Sequence, residues 1–255
     1  TEDEFLAQQA PAQPLDLIAP LTAGQQLAQL LKGLSLENWL AHLTASSALL
    51  TANFTSQLAA INSPLVLTTS PQPLVYLRRY WAYEQQILRA LQPRLEHNFQ
   101  LDVTATQEIL TQLFQLTPQQ LSQGWQEPQP NWQKLACALA AAASFSIITG
   151  GPGTGKTTTV VRLLALLQGL QIKAGQAPLT IRLAAPTGKA AARLKESLTG
   201  SLEELNLPED LAAVKQLIPT QVTTLHRLLG SQAKSREFRH NANNPLIADL
   251  LVVDE

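Results

Sequence analysis

The stretch that decides the fold is SIITGGPGTGKTTTVVRLL, residues 146–164. Apolar residues lead into a glycine-rich loop that ends in Lys156-Thr157, and a second apolar run follows. Residues 150–157 fit the pattern G-x-x-x-x-G-K-[ST] in full. The flanking patterns predict a strand over 144–149 and a buried helix over 156–170. The sequence therefore predicts a phosphate-binding loop between a strand and a helix.

Each residue type in this loop has a physical reason to be there. Glycines let backbone N–H groups turn toward phosphate oxygens without Cβ clashes, and the helix start adds partial positive charge. We expect Lys156 to reach the β- and γ-phosphates of ATP and the Thr157 hydroxyl to bind Mg²⁺. The predicted nucleotide-binding residues of the loop are Gly150, Gly151, Pro152, Gly153, Thr154, Gly155, Lys156, Thr157 and Thr158.

A second acidic element follows about a hundred residues later. Asp254 and Glu255 come directly after the apolar run Leu250–Val253. An Asp at the end of a buried strand holds Mg²⁺ in NTPases with this loop. A neighbouring Glu is well placed to orient or deprotonate the attacking water. We therefore predict that Lys156, Asp254 and Glu255 are catalytic and that Thr157 and Asp254 bind the metal.

Strand and helix patterns alternate after the loop. Strands are predicted over 179–186 and 248–255, with a helix over 187–205 and a short strand and helical piece over 221–230. This alternation indicates an α/β fold, a parallel sheet with helices on both faces. Ligands of such sheets lie beyond the carboxyl ends of the strands, where we expect the glycine loop and Asp254.

The first half of the chain has a different pattern. Helical spacing runs over 23–34 and 36–50, again over 80–91 until Pro93, and over 104–114 with Thr104 or Thr106 as a cap. Two β-rich runs within 64–77 predict a small hairpin. We predict a small, mostly helical domain over 1–115, a Gln/Pro-rich linker over 116–130 and the nucleotide-binding domain over 131–255. The cluster LRRYWAY, 77–83, is either a base-stacking patch or part of this domain's core, and we favour the core.

Composition excludes several classes of protein. One cysteine, Cys137, rules out an internal disulfide, and no apolar run is long enough to span a bilayer. The N-terminus is acidic and lacks the order of a secretory signal. We expect a cytoplasmic protein with no membrane partner. Residues 1–133 contain 5 Lys/Arg and 10 Asp/Glu, and residues 134–255 contain 13 and 9. The sequence has no methionine, so we interpret it as a fragment of a longer protein.

Two segments carry groups suited to a single-stranded phosphate backbone. The first, APTGKAAARL at 185–194, contains Pro186 and Thr187 and then places Lys189 and Arg193 four residues apart on one helix face. The second, TTLHRLLG at 223–230, contains Thr224 and His226. The alternative is that the hydroxyls cap helices, the cations lie on a solvated face and the histidine is structural.

Four runs, taken in order, carry a family resemblance: GGPGTGKTTTVVRLL, RLAAPTGKAAARLKESL, TTLHRLLG and NPLIADLLVVDE. They resemble the RecD family of superfamily 1 DNA helicases, the alpha subunits of exonuclease V (RecBCD), over about 131–255. The resemblance implies two RecA-like domains with ATP between them, movement from 5′ to 3′ on DNA, and RecB and RecC as partners. This chain would cover the N-terminal domain and most of the first motor domain, so we expect it to bind nucleotide weakly and barely hydrolyse it.

The resemblance also implies roles for particular residues. Gln133 is similar to the glutamine that reads the adenine edge. The segment 186–194 looks like a contact motif for single-stranded DNA, which implicates Pro186, Thr187, Lys189 and Arg193. The segment 224–228 looks like the next DNA-side motif, which implicates Thr224 and His226. A docking subunit, a stand-alone RecD-like helicase and a conjugative helicase remain alternatives.

Overall fold

A computed structural model of the protein describes residues 22–32, 34–51, 63–69, 72–116, 121–124, 126, 130–232 and 237–254. The chain divides into two compact units, Thr1–Ile87 and Leu88–Glu255. The division falls inside one helix and lies well before the predicted linker. Much of that linker, 116–130, lies outside the described residues, so its character stays a prediction.

The first unit combines two short helices with a small sheet. Side-chain oxygens of Thr22 and Ser35 cap the two helices by accepting from the N–H groups of Gln25 and Asn38. In the sheet, the strand Leu49–Thr51 pairs in parallel with Leu65–Thr68, and Leu65–Thr68 pairs antiparallel with Leu74–Leu77, which confirms the predicted hairpin. The elements are α1 (Ala23–Leu31), α2 (Leu36–Ala45), β1 (Leu49–Thr51), β2 (Leu65–Thr68) and β3 (Leu74–Leu77).

The third helix, α3 (Arg78–Glu96), carries the aromatic cluster. Trp81 is buried beside Val66, as the core interpretation predicts. The side chains of Tyr80 and Tyr83 are instead 49% and 56% exposed, so that interpretation is wrong for both. Prediction of a helix end at Pro93 is also wrong, because α3 continues to Glu96. Proline's fixed φ is helical, and near a helix end its missing N–H removes only one hydrogen bond.

The second unit contains a three-stranded parallel sheet in the order β5 (Val222–Thr224), β4 (Ile181–Ala185) and β6 (Leu250–Val253). Strand β4 pairs in parallel with both β5 and β6, which confirms the predicted α/β fold class with a parallel sheet. A 3₁₀ turn, Glu209–Leu211, precedes α8. The elements are α4 (Val103–Leu113), α5 (Trp132–Ala142), α6 (Lys156–Lys173), β4 (Ile181–Ala185), α7 (Gly188–Glu203), α8 (Val214–Leu217), β5 (Val222–Thr224), α9 (Leu225–Leu229) and β6 (Leu250–Val253).

Helix α6 is the centre of this unit's core. It packs against α4, α5, α7 and α8, and it buries Val161, Leu164 and Leu166 completely. Its buried Gln168 is also satisfied, because the amide bonds to Leu179 N, Leu179 O and Leu217 O. A helix that is apolar on nearly every face needs such a surrounding shell.

Helix α4 joins this same core rather than an N-terminal domain. Ile109, Leu110 and Leu113 are buried among residues of α5 and α6. A domain boundary at 115 would expose this apolar face, so the compact unit begins before α4. The predicted threonine cap of α4 is wrong as well. Asp102 caps the helix by accepting from Ala105 N at 3.0 Å, and a carboxylate is a strong acceptor for N-terminal N–H groups.

The segment before the phosphate loop is not a β-strand. Residues 146–150 have no strand assignment, and Ile147 is 74% exposed. A strand requires hydrogen bonds to a neighbour, and residues 146–150 pair with none of the three strands of the sheet. The predicted strand over 144–149 is therefore wrong for this structure. Within the described residues, no helix is long and apolar enough to cross a membrane.

Candidate nucleotide and nucleic-acid site

The phosphate loop has the backbone geometry that its glycines predict. Gly153 and Gly155 have φ values of 74° and 78°, in the left-handed region that favours glycine. Gly155 is also the N-cap of α6, and no side chain caps the helix there. The first N–H groups of α6 are therefore available to an anion, and the helix dipole favours negative charge at this end.

The lysine of the loop lies against its carbonyl groups. The ammonium of Lys156 donates to the carbonyls of Gly150 at 2.8 Å and Gly151 at 2.9 Å. The Thr154 hydroxyl also donates to Gly151 O, at 2.9 Å. A Cβ on Gly150 would lie only 2.6 Å from that hydroxyl oxygen, so a larger residue there would displace the Thr154 side chain. The loop thus holds a cation among its own carbonyls, from which it can turn to phosphate oxygens.

The three threonines that follow the lysine have different surroundings. Thr159 is buried, and its hydroxyl donates to Gly155 O at 2.9 Å. The Thr158 hydroxyl lies 3.3 Å from Ser201 Oγ on α7. The Thr157 hydroxyl has no hydrogen-bond partner among the described residues, so its lone pairs are free for a metal ion. Contact of Thr158 with phosphate stays a prediction.

Gln133 is fixed against the loop by two polar neighbours. Its Nε2 donates to the carbonyl of Thr154 at 3.0 Å, and its Oε1 accepts from Arg162 Nη1 at 3.1 Å. A Cβ on Gly155 would lie 2.5 Å from that Nε2, so only glycine admits the amide at this distance. The guanidinium of Arg162 also stacks on the Phe114 ring, 4.5 Å from its centroid.

Burial shifts the pKa values of two groups, the Arg162 guanidinium and the Cys137 thiol. Desolvation lowers the pKa of Arg162, and the effect of the Cys137 thiol opposes it. Desolvation raises the pKa of Cys137 to about 12, against the opposing effect of the Arg162 charge. The thiol donates to Thr159 O at 3.4 Å. Cys137 is therefore a neutral, buried thiol that packs against the first turn of α6, with no nucleophilic character at neutral pH.

The ends of three adjacent strands meet at one edge of the sheet. In the parallel register, Ala185 pairs with Thr224, and Ala184 pairs with Val253. The N–H of Asp254 donates to Ala184 O at 3.0 Å. The segment that begins at Pro186 therefore starts between Thr224 and Asp254. The structure brings together the predicted metal-side carboxylate and the first residues of both predicted DNA segments.

The predicted DNA contacts divide into two groups. Thr187 and Thr224 act as helix caps, accepting from Ala190 N at 3.2 Å and Arg227 N at 3.3 Å. The other four side chains are exposed to solvent. Among them, His226 lies edge-on to Phe238, 5.8 Å between ring centroids. The exposed members are Pro186, Lys189, Arg193 and His226. Their contact with DNA stays a prediction.

The residues for a magnesium ion fit its chemistry. Mg²⁺ keeps several waters and is held by one or two protein oxygens together with substrate phosphates. Both the Thr157 hydroxyl and the Asp254 carboxylate lack a hydrogen-bond or ion-pair partner among the described residues. No cluster of three or more His, Cys, Asp or Glu suited to a metal occurs within those same ranges. The predicted water-activating Glu255 lies outside the described residues.

Sequence reasoning missed Arg162 and Phe114. A signal for the arginine was present, because Arg162 is a charged residue inside the otherwise apolar run VVRLLALL. A cation placed there must find a buried acceptor or an aromatic face. The partner could not be read from the sequence, because Gln133 is 29 residues away and on another helix.

Comparison with known proteins defines the class first. A family model described as "AAA domain" matches residues 133–255, which are the loop, the sheet and the helices around them. With the uncapped N-terminus of α6 and the strand-end Asp254, this part of the chain is a P-loop NTPase domain.

The chain is also similar to RecD proteins and to a related helicase. The chain is 41% identical over 185 residues to "RecBCD enzyme subunit RecD" of Haemophilus influenzae, which covers 71% of this chain and 27% of that protein. It is 41% identical over 186 residues to the protein of the same name from Mycolicibacterium smegmatis, and this match covers 71% of this chain and 29% of that protein. It is 39% identical over 109 residues to "ATP-dependent RecD2 DNA helicase" of Deinococcus radiodurans, and this match covers 43% of this chain and 11% of that protein.

Over the matched region the chain is RecD-like in sequence, in agreement with the resemblance that its motifs carry. The region of similarity spans under a third of the length of the RecD relatives.

Proposed function

We propose that this chain is part of an ATP-driven DNA helicase subunit that moves 5′ to 3′ in a complex of the exonuclease V type. The observation that carries the proposal is the edge of the sheet in the second unit. There, Asp254 lies beside the segment that starts at Pro186, and the exposed Lys189 and Arg193 follow one turn apart on α7. The carboxylate proposed to bind the metal and the cations proposed to bind DNA would thus lie at the same edge of the sheet.

The residues of the loop would bind and orient the triphosphate. The uncapped N–H groups of α6 and the Lys156 ammonium would hold the phosphates. Thr157 and Asp254 would hold Mg²⁺, and ATP supplies the phosphoryl chemistry when bound. Glu255, next to Asp254 in sequence, would orient the attacking water.

Helix α7 offers a physical connection between the two functions. Its first half carries Lys189 and Arg193, and its Ser201 contacts Thr158 in the first turn of α6 at 3.3 Å. A change in the loop would therefore reach the DNA-side segment through one packed helix. Directional movement further requires a second motor domain that closes on ATP, so that the grip on DNA alternates.

The proposal is tested with the full-length protein, alone and with RecB and RecC. We expect ATPase activity that single-stranded DNA stimulates and unwinding of duplexes that carry a 5′ overhang. Changing Lys156→Gln should abolish both activities while leaving the melting temperature unchanged. An active Lys156→Gln variant, or unwinding only from 3′ overhangs, would contradict the proposal.

A second role is docking to RecB or RecC by the first unit. It is favoured by the edge strand β3, where Leu74, Val75 and Leu77 are all exposed. Exposed apolar residues on an edge strand are typical of surfaces that another chain covers. Changing Val75→Glu should prevent co-purification with RecB and RecC but leave ATP binding intact. Unchanged assembly would exclude β3 as the docking surface.

A further inference from the structure

Two neighbours hold the amide of Gln133, the residue to which the family resemblance assigns the adenine contact. A glutamine amide has two N–H donors and two lone pairs on its oxygen. One donor is used on Thr154 O at 3.0 Å, and one lone pair is used by Arg162 Nη1 at 3.1 Å. One donor and one acceptor therefore remain. Adenine presents the complementary pair, an N6 amino donor beside the N7 acceptor, whereas guanine presents two acceptors, O6 and N7.

We propose that Arg162 is a positioning residue that fixes the orientation of the Gln133 amide and thereby sets the preference for ATP over GTP. This inference rests on the proposed nucleotide-binding function and concerns the same site. With the amide reversed, its NH₂ group would face the guanidinium and its oxygen would face the Thr154 carbonyl. Both contacts would be repulsive, so the loop and Arg162 together select one orientation.

The position of Arg162 suits this role better than a purely structural one. Within the described part of the chain, no carboxylate forms an ion pair with it, and its Nε is buried without a hydrogen-bond partner. A partly buried cation without a counter-charge is destabilising. Its compensation comes from the Phe114 ring on one side and from Gln133 on the other. The arginine thus connects the centre of α6 to the amide that touches the loop.

The test measures affinity for ATPγS and GTPγS by calorimetry on the full-length protein. The variants are Arg162→Met, which keeps an unbranched side chain to pack on Phe114, and Arg162→Lys, which keeps the charge and N–H donors. Exposed Arg89 on α3 provides a matched control, Arg89→Met. We expect Arg162→Met to reduce the preference for ATP at least tenfold, with little loss of GTPγS affinity. Arg162→Lys should retain part of the preference for ATPγS over GTPγS. The control Arg89→Met should leave that preference unchanged.

A double-mutant cycle separates positioning from general structural damage. If Arg162 acts through the amide, Arg162→Met should have no further effect on the preference in a Gln133→Ala background. A preference unchanged in Arg162→Met, equal losses for both nucleotides, or an additional loss in the double variant would overturn the inference.

The two proposals fail in different ways. If the unaltered protein binds neither nucleotide and Lys156→Gln changes nothing, then the proposed function fails. If ATPγS binds tightly and in a Lys156-dependent way while Arg162 variants keep the preference, only the role of Arg162 fails.

Discussion

At the scale of single residues, the phosphate loop depends on two glycines for different reasons. Gly153 and Gly155 both have positive φ, which strains any other residue by about 1–2 kcal/mol. A Cβ on Gly153 would meet nothing within 4 Å, whereas a Cβ on Gly155 would lie 2.5 Å from Gln133 Nε2. The first glycine is needed for its backbone conformation only, and the second also for the close approach of an amide.

This difference gives a paired prediction. Gly155→Ala should weaken ATP binding at least about tenfold more than Gly153→Ala, because it displaces Gln133 in addition to straining the loop. Thermal unfolding of both variants shows whether the backbone strain is equal. Equal affinities in the two variants would contradict the close contact between Gly155 and Gln133.

Cys137 gives a prediction for the dependence of stability on pH. Its pKa is raised to about 12 in the folded protein, whereas an exposed thiol titrates near about 8.5. The folded state therefore holds its proton more tightly than the unfolded state. The stability from a neutral thiol is fully present below about pH 8.5 and is lost progressively as the pH rises toward the folded value.

The measurement is urea unfolding at pH 8 and pH 10. The protein should lose about 1–2 kcal/mol between these values through this thiol. The Cys137→Ser variant keeps a donor for Thr159 O, but its hydroxyl does not titrate in this range. Its loss of unfolding free energy between pH 8 and pH 10 should therefore be smaller than that of the unaltered protein by the same amount. An identical loss in the variant would show that the thiol does not contribute.

At the scale of elements, periodicity predicted most helices and strands but not their neighbours. The helices of both units and the hairpin lie close to where spacing placed them, because apolar repeats report one face of an element directly. The same repeats do not say which core covers that face, so the predicted boundary at 115 separates α4 from the compact unit that contains it. The strand before the loop failed for a related reason, because a strand exists only beside a partner.

Two glycines inside helices test how tightly these elements pack. Gly169 lies in α6, where a Cβ would be 3.2 Å from Ile109 Cδ1, and Gly200 lies in α7 with nothing within 4 Å. Alanine is favoured over glycine in a helix interior by about 1 kcal/mol. We expect Gly200→Ala to raise stability by about 0.5–1 kcal/mol. Gly169→Ala should be less stable than Gly200→Ala by at least about 1 kcal/mol, because α4 must move away.

Chemical denaturation with matched baselines measures both changes. If Gly169→Ala gains as much stability as Gly200→Ala, then α4 does not pack on α6 at this position. That result would support the predicted domain boundary at 115, which places α4 in the N-terminal domain.

At the scale of the whole molecule, the sequence identified the loop and the family resemblance, but not the side-chain contacts that join distant segments of the chain. Motif residues are contiguous, so the loop could be predicted residue by residue. The contacts Arg162–Gln133 and Thr158–Ser201 join residues 29 and 43 positions apart, and they exist only once α6 has packed. The capping roles of Thr187 and Thr224 show that a hydroxyl in a predicted DNA motif can also serve its own helix.

The proposed DNA track can be tested with two lysines of α7 that carry the same charge. Lys189 and Lys195 are both exposed, but six residues of helix separate them by about 120° around the helix axis, so they lie on different faces. We expect Lys189→Ala to weaken binding of single-stranded DNA by the full-length protein. It should also flatten the slope of log K against log salt by about 0.7, the value for one phosphate contact on a single strand. Lys195→Ala removes an equal charge from the other face, so it should leave that slope unchanged. Equal slopes for the two variants would mean that α7 attracts DNA through its net charge alone, and the strand would then have to follow some other surface of the molecule.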